Sequence, residues 1–200
     1  MFGLPENSSV GRVLPKSALY AKFSMNTAAR ERFDADVSRI AIANVIDSRH
    51  IAVGANVKTI YVVAVQLKHK AYDPKNIAML ARLINQNIIF ALIYGEEVQL
   101  TAYCTRLVAS EWQPAADVVI TLCGLNLDAV WENIVATIGG VDVAAGRSVA
   151  EQIVADDARA KLMQQIERLE ARCRAEKQPS RKLELFEKLK RMQVALFGEK

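Results

Sequence analysis

From Ser148 onward the chain changes character: no glycine occurs until Gly198, and charged side chains become dense. Apolar residues fall at Leu162, Ile166, Leu169 and Cys173, and again at Leu185, Leu189, Met192 and Leu196. Both series step by four, three and four, the spacing of a seam between packed helices. One proline, in Gln178-Pro179-Ser180, separates them. The pattern predicts an α/β body over residues 1–146 and a C-terminal helical hairpin or coiled-coil arm over residues 147–200. Val141–Arg147 is the linker, and Ser148-Val149-Ala150-Glu151 has the form of a helix-starting capping box.

The body reads as α+β. Residues 2–15, broken by Pro5, Gly11 and Pro15, form an extended lead-in, and Lys16–Phe23 suits a short helix. Asn26 is an N-cap for a helix through Phe33. Val37–Ile46 suits a strand, although its alanines also permit helix. Val57–Lys68 is the best strand in the chain, because its β-branched and aromatic residues are nearly continuous. Asp73-Pro74 opens a helix that ends near Asn85. Ile88–Tyr94, Gly95-Glu96 and Val98–Arg106 form a hairpin, joined by a strand near Val108–Gln113. Asn126–Ile138 is an amphipathic helix, closed by Gly139-Gly140. One mixed or mainly antiparallel sheet with helices packed against it is the simplest arrangement.

Charge is divided unevenly. Residues 1–146 carry 13 basic and 13 acidic side chains, whereas residues 147–200 carry 13 and 9, so the whole net charge of +4 sits in the arm. A basic helical surface favours phosphates, anionic lipid or an acidic partner. Lys161, Arg168 and Arg172 lie along one flank of the first arm helix. Arg181, Lys182, Lys188, Lys190 and Arg191 decorate the junction and the second helix. Glu170–Arg174, Glu184–Lys188 and Glu187–Arg191 have the favourable i,i+4 order and weaken the outward field. Three widely spaced cysteines without a CxxC suit a reducing compartment. No apolar run approaches the roughly 18–20 residues that cross a bilayer. A soluble, cytoplasmic chain with no membrane partner is expected.

No local pattern announces a reaction. The glycine-rich phosphate loops GxGxxG and GxxxxGK[ST] are missing, and neither His50 nor His69 neighbours a nucleophile. Trp131 falls on an apolar helix face, whereas Trp112 suits an edge. One catalytic arrangement fits in outline. PD-(D/E)xK nucleases place an acid on one strand and (E/D/Q)-x-K on the next, followed by a helix and another strand. Asp47, then Gln66-Leu67-Lys68, then the Asp73 helix and the Ile88 strand follow that order. Gln66 and Lys68 would share a strand face. Gln66 is neutral and a poor magnesium ligand, and no proline precedes Asp47. No metal site or cofactor is expected.

Several segments resemble the domain-of-unknown-function family 4391. They are Phe2-Gly3-Leu4-Pro5 with Val13-Leu14-Pro15-Lys16 and Tyr20, Val65-Gln66-Leu67-Lys68, and Ile89-Phe90 to Tyr94-Gly95 with Val98-Gln99-Leu100. Gly124-Leu125-Asn126-Leu127-Asp128-Ala129-Val130-Trp131-Glu132-Asn133 resembles the family's most specific stretch, and Glu176–Lys182 its helix junction. Where the family has Glu in an E-L-K strand end, this chain has Gln66. The resemblance implies a bacterial or archaeal protein encoded near superfamily-2 helicases and DNA methyltransferases, in restriction- or phage-defence-like clusters. It carries no settled activity.

Two functions follow as expectations. The first is an accessory, non-catalytic subunit of a DNA-modification or helicase system. Its body would dock a helicase or methyltransferase subunit, and its arm would meet DNA backbone, a partner helix or a second copy in a homodimer. The seam of the arm needs cover from the body or from such a partner. The alternative is a divergent PD-(D/E)xK-like metal-dependent nuclease using Asp47, Gln66 and Lys68.

Overall fold

The computed structural model describes residues 2–197 and falls into two compact units, Met1–Val149 and Ala150–Lys200. The first unit is built on a seven-stranded sheet. Its strands are β1 (Ser9–Leu14), β2 (Val37–Ile46), β3 (Ile60–Leu67), β4 (Asn87–Tyr94), β5 (Glu97–Cys104), β6 (Arg106–Ala109) and β7 (Gln113–Pro114). They lie in the order β1-β2-β3-β4-β5-β6, with β7 also on β5. Only the β3–β4 pairing is parallel. The sheet is therefore mixed and mostly antiparallel, and the unit is α+β.

The helices of this unit are α1 (Lys16–Lys22), α2 (Thr27–Asp36), α3 (Pro74–Ile84) and α4 (Leu127–Gly139). Their ends follow the cap residues. Asn26 accepts from the Ala29 N–H, Asp73 from Lys75 and Asn126 from Ala129, each satisfying an orphan donor of the first turn. Helix α3 is the crossover that a parallel pair requires. Val63, Val65 and Leu67 of β3 and Phe90 and Leu92 of β4 pack with Leu19, Phe33, Ile77 and Leu80 of helices α1–α3. The alternate residues Val62, Ile89 and Ala91 are buried on the other face, and α4 lies against β5 and β6. Burial on both faces explains why β3 reads as a nearly continuous apolar run.

Two expectations are refined and a third is met. The lead-in is more than an extended tail, because Ser9–Leu14 pairs antiparallel with β2 as an edge strand. Val37–Ile46 is a strand, since its place between β1 and β3 outweighs the helical tolerance of its alanines. The strand expected at Val108–Gln113 starts earlier, at Arg106, because Thr105 turns the chain at φ 59°.

The stretch 124–133 is spent on internal fastening. Asp128 accepts backbone N–H bonds from Ala55 (2.8 Å), Asn56 (3.1 Å) and Val57 (2.6 Å), on the loop that leads into β3. These donors, Val57 first, hold its carboxyl below the ordinary carboxylate range. A Cβ on Gly54 would stand 2.1 Å from the Asp128 Oδ1, so only glycine fits there. The Leu127 N–H donates to Ala52 O, the Asn133 side chain to Cys123 O, and Glu132 receives the Val149 N–H. Leu127, Val130, Trp131 and Ile134 are buried.

The second unit holds α5 (Val149–Ala175) and α6 (Pro179–Phe197). Ile166, Leu169 and Leu189 form its buried core, with Leu162, Leu185, Met192 and Leu196 packed around them. Cys173 is also buried, its thiol 3.8 Å from Lys182 O. The two apolar series therefore cover each other. Each fully buried side chain of this class contributes roughly 1.5–3 kcal/mol.

The Asp128 clamp yields a prediction. A depressed carboxyl stabilises the fold above its unfolded pKa, and that stability is lost as pH falls through the lower folded value. Asp128→Asn should lower Tm at pH 7, and the difference from wild type should shrink on acidification below about pH 4. Gly54→Ala should lower Tm at every pH. Thermal melts across pH check both, and an unchanged Tm for Asp128→Asn at pH 7 contradicts the clamp.

Candidate nucleic-acid interface

The nuclease arrangement can be followed along the β2–β3 ladder. Val37 lies opposite Leu67 and Ile46 opposite Ile60. Gln66 and Lys68 therefore sit at the end of the ladder where β2 begins, while Asp47 sits beyond the other end. The structure does not bring Asp47 to Gln66 and Lys68. Asp47 is instead held by Arg49, whose Nη2 donates to Oδ2 at 2.9 Å, and this pairing lowers its pKa to about 2. The topology around Gln66-Leu67-Lys68 otherwise has the expected order, with α3 and parallel β4 following.

The acid beside Lys68 is Asp36, whose carbonyl receives the Lys68 N–H at 2.8 Å. Strand register is a long-range property, so sequence order alone pointed to Asp47. The Asp36 carboxylate is already engaged. It accepts from the Asp73 N–H (2.9 Å) and Asn76 Nδ2 (2.7 Å), and lies 3.3 Å from His69 Nε2. It thus ties the start of α3 to the start of β2. Its neighbour Asp34 binds the Lys16 ammonium and the Tyr20 hydroxyl. The Lys16 bond, then the Tyr20 bond, draw the Asp34 carboxyl below its ordinary range, while burial, then the Asp34 bond, raise the Tyr20 hydroxyl. Both carboxylates at this end are occupied by the chain's own donors. Among the described residues, no group of three or more His, Cys, Asp or Glu side chains could hold a metal ion.

The basic residues of the helical unit are arranged differently. Lys161, Arg168, Arg172, Arg181, Lys182, Lys188, Lys190 and Arg191 are all exposed. On α5, positions 161, 165, 168 and 172 fall on one face of the helix. Arg168 and Arg172 meet Lys188 of α6 across a shallow groove of about 200 Å³, floored by Leu169 and Met192 and edged by Gln165. Among the described residues, no carboxylate lines this groove. Among the described residues, Arg168, Arg172 and Lys188 form no ion pair within 4 Å. Arg172 and Arg181 act at longer range on Glu176, whose carboxyl is held low mainly by the Gln178 N–H. Of the expected i,i+4 pairs, Arg191–Glu187 closes at 3.8 Å, whereas Glu170 turns to Gln193 at 3.1 Å.

Arg168 and Arg172 are about 6 Å apart along the helix axis. Two guanidinium groups at that spacing can face phosphate oxygens of one strand together. Exposed guanidinium groups without partners retain their fork of donors for such oxygens. The flank was legible from 3.6-residue spacing; its closure against Lys188 depends on how α6 packs.

The family model described as Domain of unknown function (DUF4391) matches residues 2–196. The chain belongs to this family. No curated protein and no solved structure matches it. Membership gives the motif residues a structural frame. The lead-in residues Lys16 and Tyr20 meet at Asp34, next to the strand end that carries Gln66. No helix among the described residues is long and apolar enough to cross a membrane.

Asp36→Ala should destabilise the body by roughly 3 kcal/mol, because it leaves donors of α3 unpaired around a mostly buried site. Denaturant unfolding measures this, and a loss below about 0.5 kcal/mol, the size of a neutral surface change, contradicts the assigned role.

Proposed function

We propose that this chain is an accessory, non-catalytic subunit of a bacterial DNA-modification or helicase system, and that its helical unit grips DNA backbone. The observation that carries this is the acid-free groove between α5 and α6, which gathers Arg168, Arg172 and Lys188. Lys161 extends the same flank, and Arg181, Lys182, Lys190 and Arg191 add to the positive surface around it. Backbone oxygens are the natural ligand of such an array, because it offers charge and forked donors without base-reading geometry. The partner would be a cytoplasmic helicase or DNA methyltransferase subunit, in keeping with the restriction- or phage-defence-like setting that the family resemblance implies. Within the helical unit, α5 and α6 pack their apolar seams on each other.

Fluorescence anisotropy with a labelled duplex tests the DNA contact. Affinity should fall steeply between about 50 and 200 mM salt. The triple variant Arg168→Gln, Arg172→Gln, Lys188→Gln should weaken binding to all sequences alike and reduce the salt slope by about 3. Absence of binding at about 50 mM salt, or an unchanged slope in the triple variant, rules out the groove as the DNA contact. A tagged pull-down from the native cell tests the partner, and recovery of neither a helicase nor a methyltransferase counts against that part.

A further inference from the structure

We propose that the body carries a second ligand site, separate from the hairpin groove, which takes a phosphorylated adenine nucleotide unit. The site is a concavity of about 460 Å³ at the amino ends of β3 and β4, below the last turn of α3. Its volume lies in the range of roughly 300–1,000 Å³ typical of small-molecule pockets. Among the described residues, two cations, Lys58 and Arg82, line it, and no carboxylate does. Every residue that lines it belongs to the first unit.

The cations are held in place by the fold. Arg82 Nε donates to the Tyr103 hydroxyl at 2.7 Å, and the guanidinium carbon stands 5.1 Å from the centre of that ring. This leaves both terminal nitrogens of the fork for a ligand. Lys58 Nζ donates to Gly54 O at 2.6 Å, which fixes the ammonium and leaves two of its three donors. Gly54 is the residue packed against Asp128, so the loop that carries Lys58 is itself clamped. The C-terminal end of α3 brings partial negative charge to the site, and Arg82 in its last turn offsets it. Lys58, which also feels the Asp128 carboxylate, adds a second positive group that a phosphate can meet.

The rest of the lining is amide. Asn56, Asn85, Gln86 and Asn87 border the same space, and their side chains form no hydrogen bond among the described residues. Asn85 is held in the left-handed region at φ 49°, where its N–H closes α3 on Ala81 O at 3.0 Å. A carboxamide presents a donor and an acceptor side by side, which is the complement of an adenine edge. Positive charge for a phosphate beside amides for a base describes a nucleotide better than it describes a bare anion. A free nucleotide and one nucleotide of a single-stranded DNA segment share this chemistry.

The test uses the intact, isotope-labelled chain and follows the side-chain amide resonances of Asn85, Gln86 and Asn87. AMP and a short oligodeoxyadenylate are titrated separately, in wild type and in the hairpin triple variant. Saturable shifts with AMP identify a free-nucleotide site, and shifts with the oligonucleotide alone identify a nucleotide within a strand. Either result supports the proposal if it persists in the triple variant, whatever becomes of duplex binding. Arg82→Gln should weaken the response about tenfold, the scale of one lost charge-assisted hydrogen bond. Lys58→Gln, at an exposed side chain, makes the same test if Arg82→Gln lowers Tm. No saturable shift with either probe, or equal affinities in wild type and in these variants, overturns the site.

Discussion

One carboxylate holds together parts of the body that are far apart in sequence. Asp128, in the first turn of α4, takes three successive N–H groups of the loop that feeds β3. β3 is the strand on which the sheet turns, antiparallel to β2 and parallel to β4. If the loop moved, the start of that strand would lose its anchor, and α4 would lose its fastening to the opposite end of the unit. Gly54 has no side chain because the carboxylate occupies that space.

Asp36 does the corresponding work at the other end of β3, joining the start of β2 to the start of α3. With both ends of the strand fastened, the polar residues that looked suited to chemistry are mostly consumed as structure. Asp34 is held by Lys16 and Tyr20, Asp36 by α3, and Asp47 by Arg49. Among the described residues, Arg168, Arg172 and Lys188 around the groove of the helical unit have no ion-pair partner, and Arg82 and Lys58 beside the concavity below α3 keep donors to spare. Function is therefore sought where charge remains unspent.

Much of this was legible wherever the signal was local. The Asp73-Pro74 start of α3, the Asn126 cap and Gly140 stop of α4, and the four-three-four steps of α5 and α6 each depend on neighbours a turn or two away. The nearly continuous apolar run of β3 was a reliable sign of burial on both faces. What escaped depends on pairing across long distances. The edge strand β1 has almost no buried residue to mark it. The register that puts Asp36, and not Asp47, beside Lys68 is fixed by a ladder that runs from Ile46 opposite Ile60 to Val37 opposite Leu67. The basic flank on α5 could be read from spacing, but its meeting with Lys188 could not. The concavity below α3 gave no sequence signal, because its lining comes from three separate segments of the chain.

The central claim is that contact with the duplex DNA backbone belongs to the helical unit and not to the strand end that carries Gln66 and Lys68. The most direct measurement is photo-cross-linking of the intact chain to halogen-substituted duplex DNA, followed by mass spectrometry of the adducts. The account predicts duplex adducts on peptides spanning residues 161–192. Adducts confined to the peptides around Lys16, Asp36 and Lys68, with none on the helical unit, would contradict it.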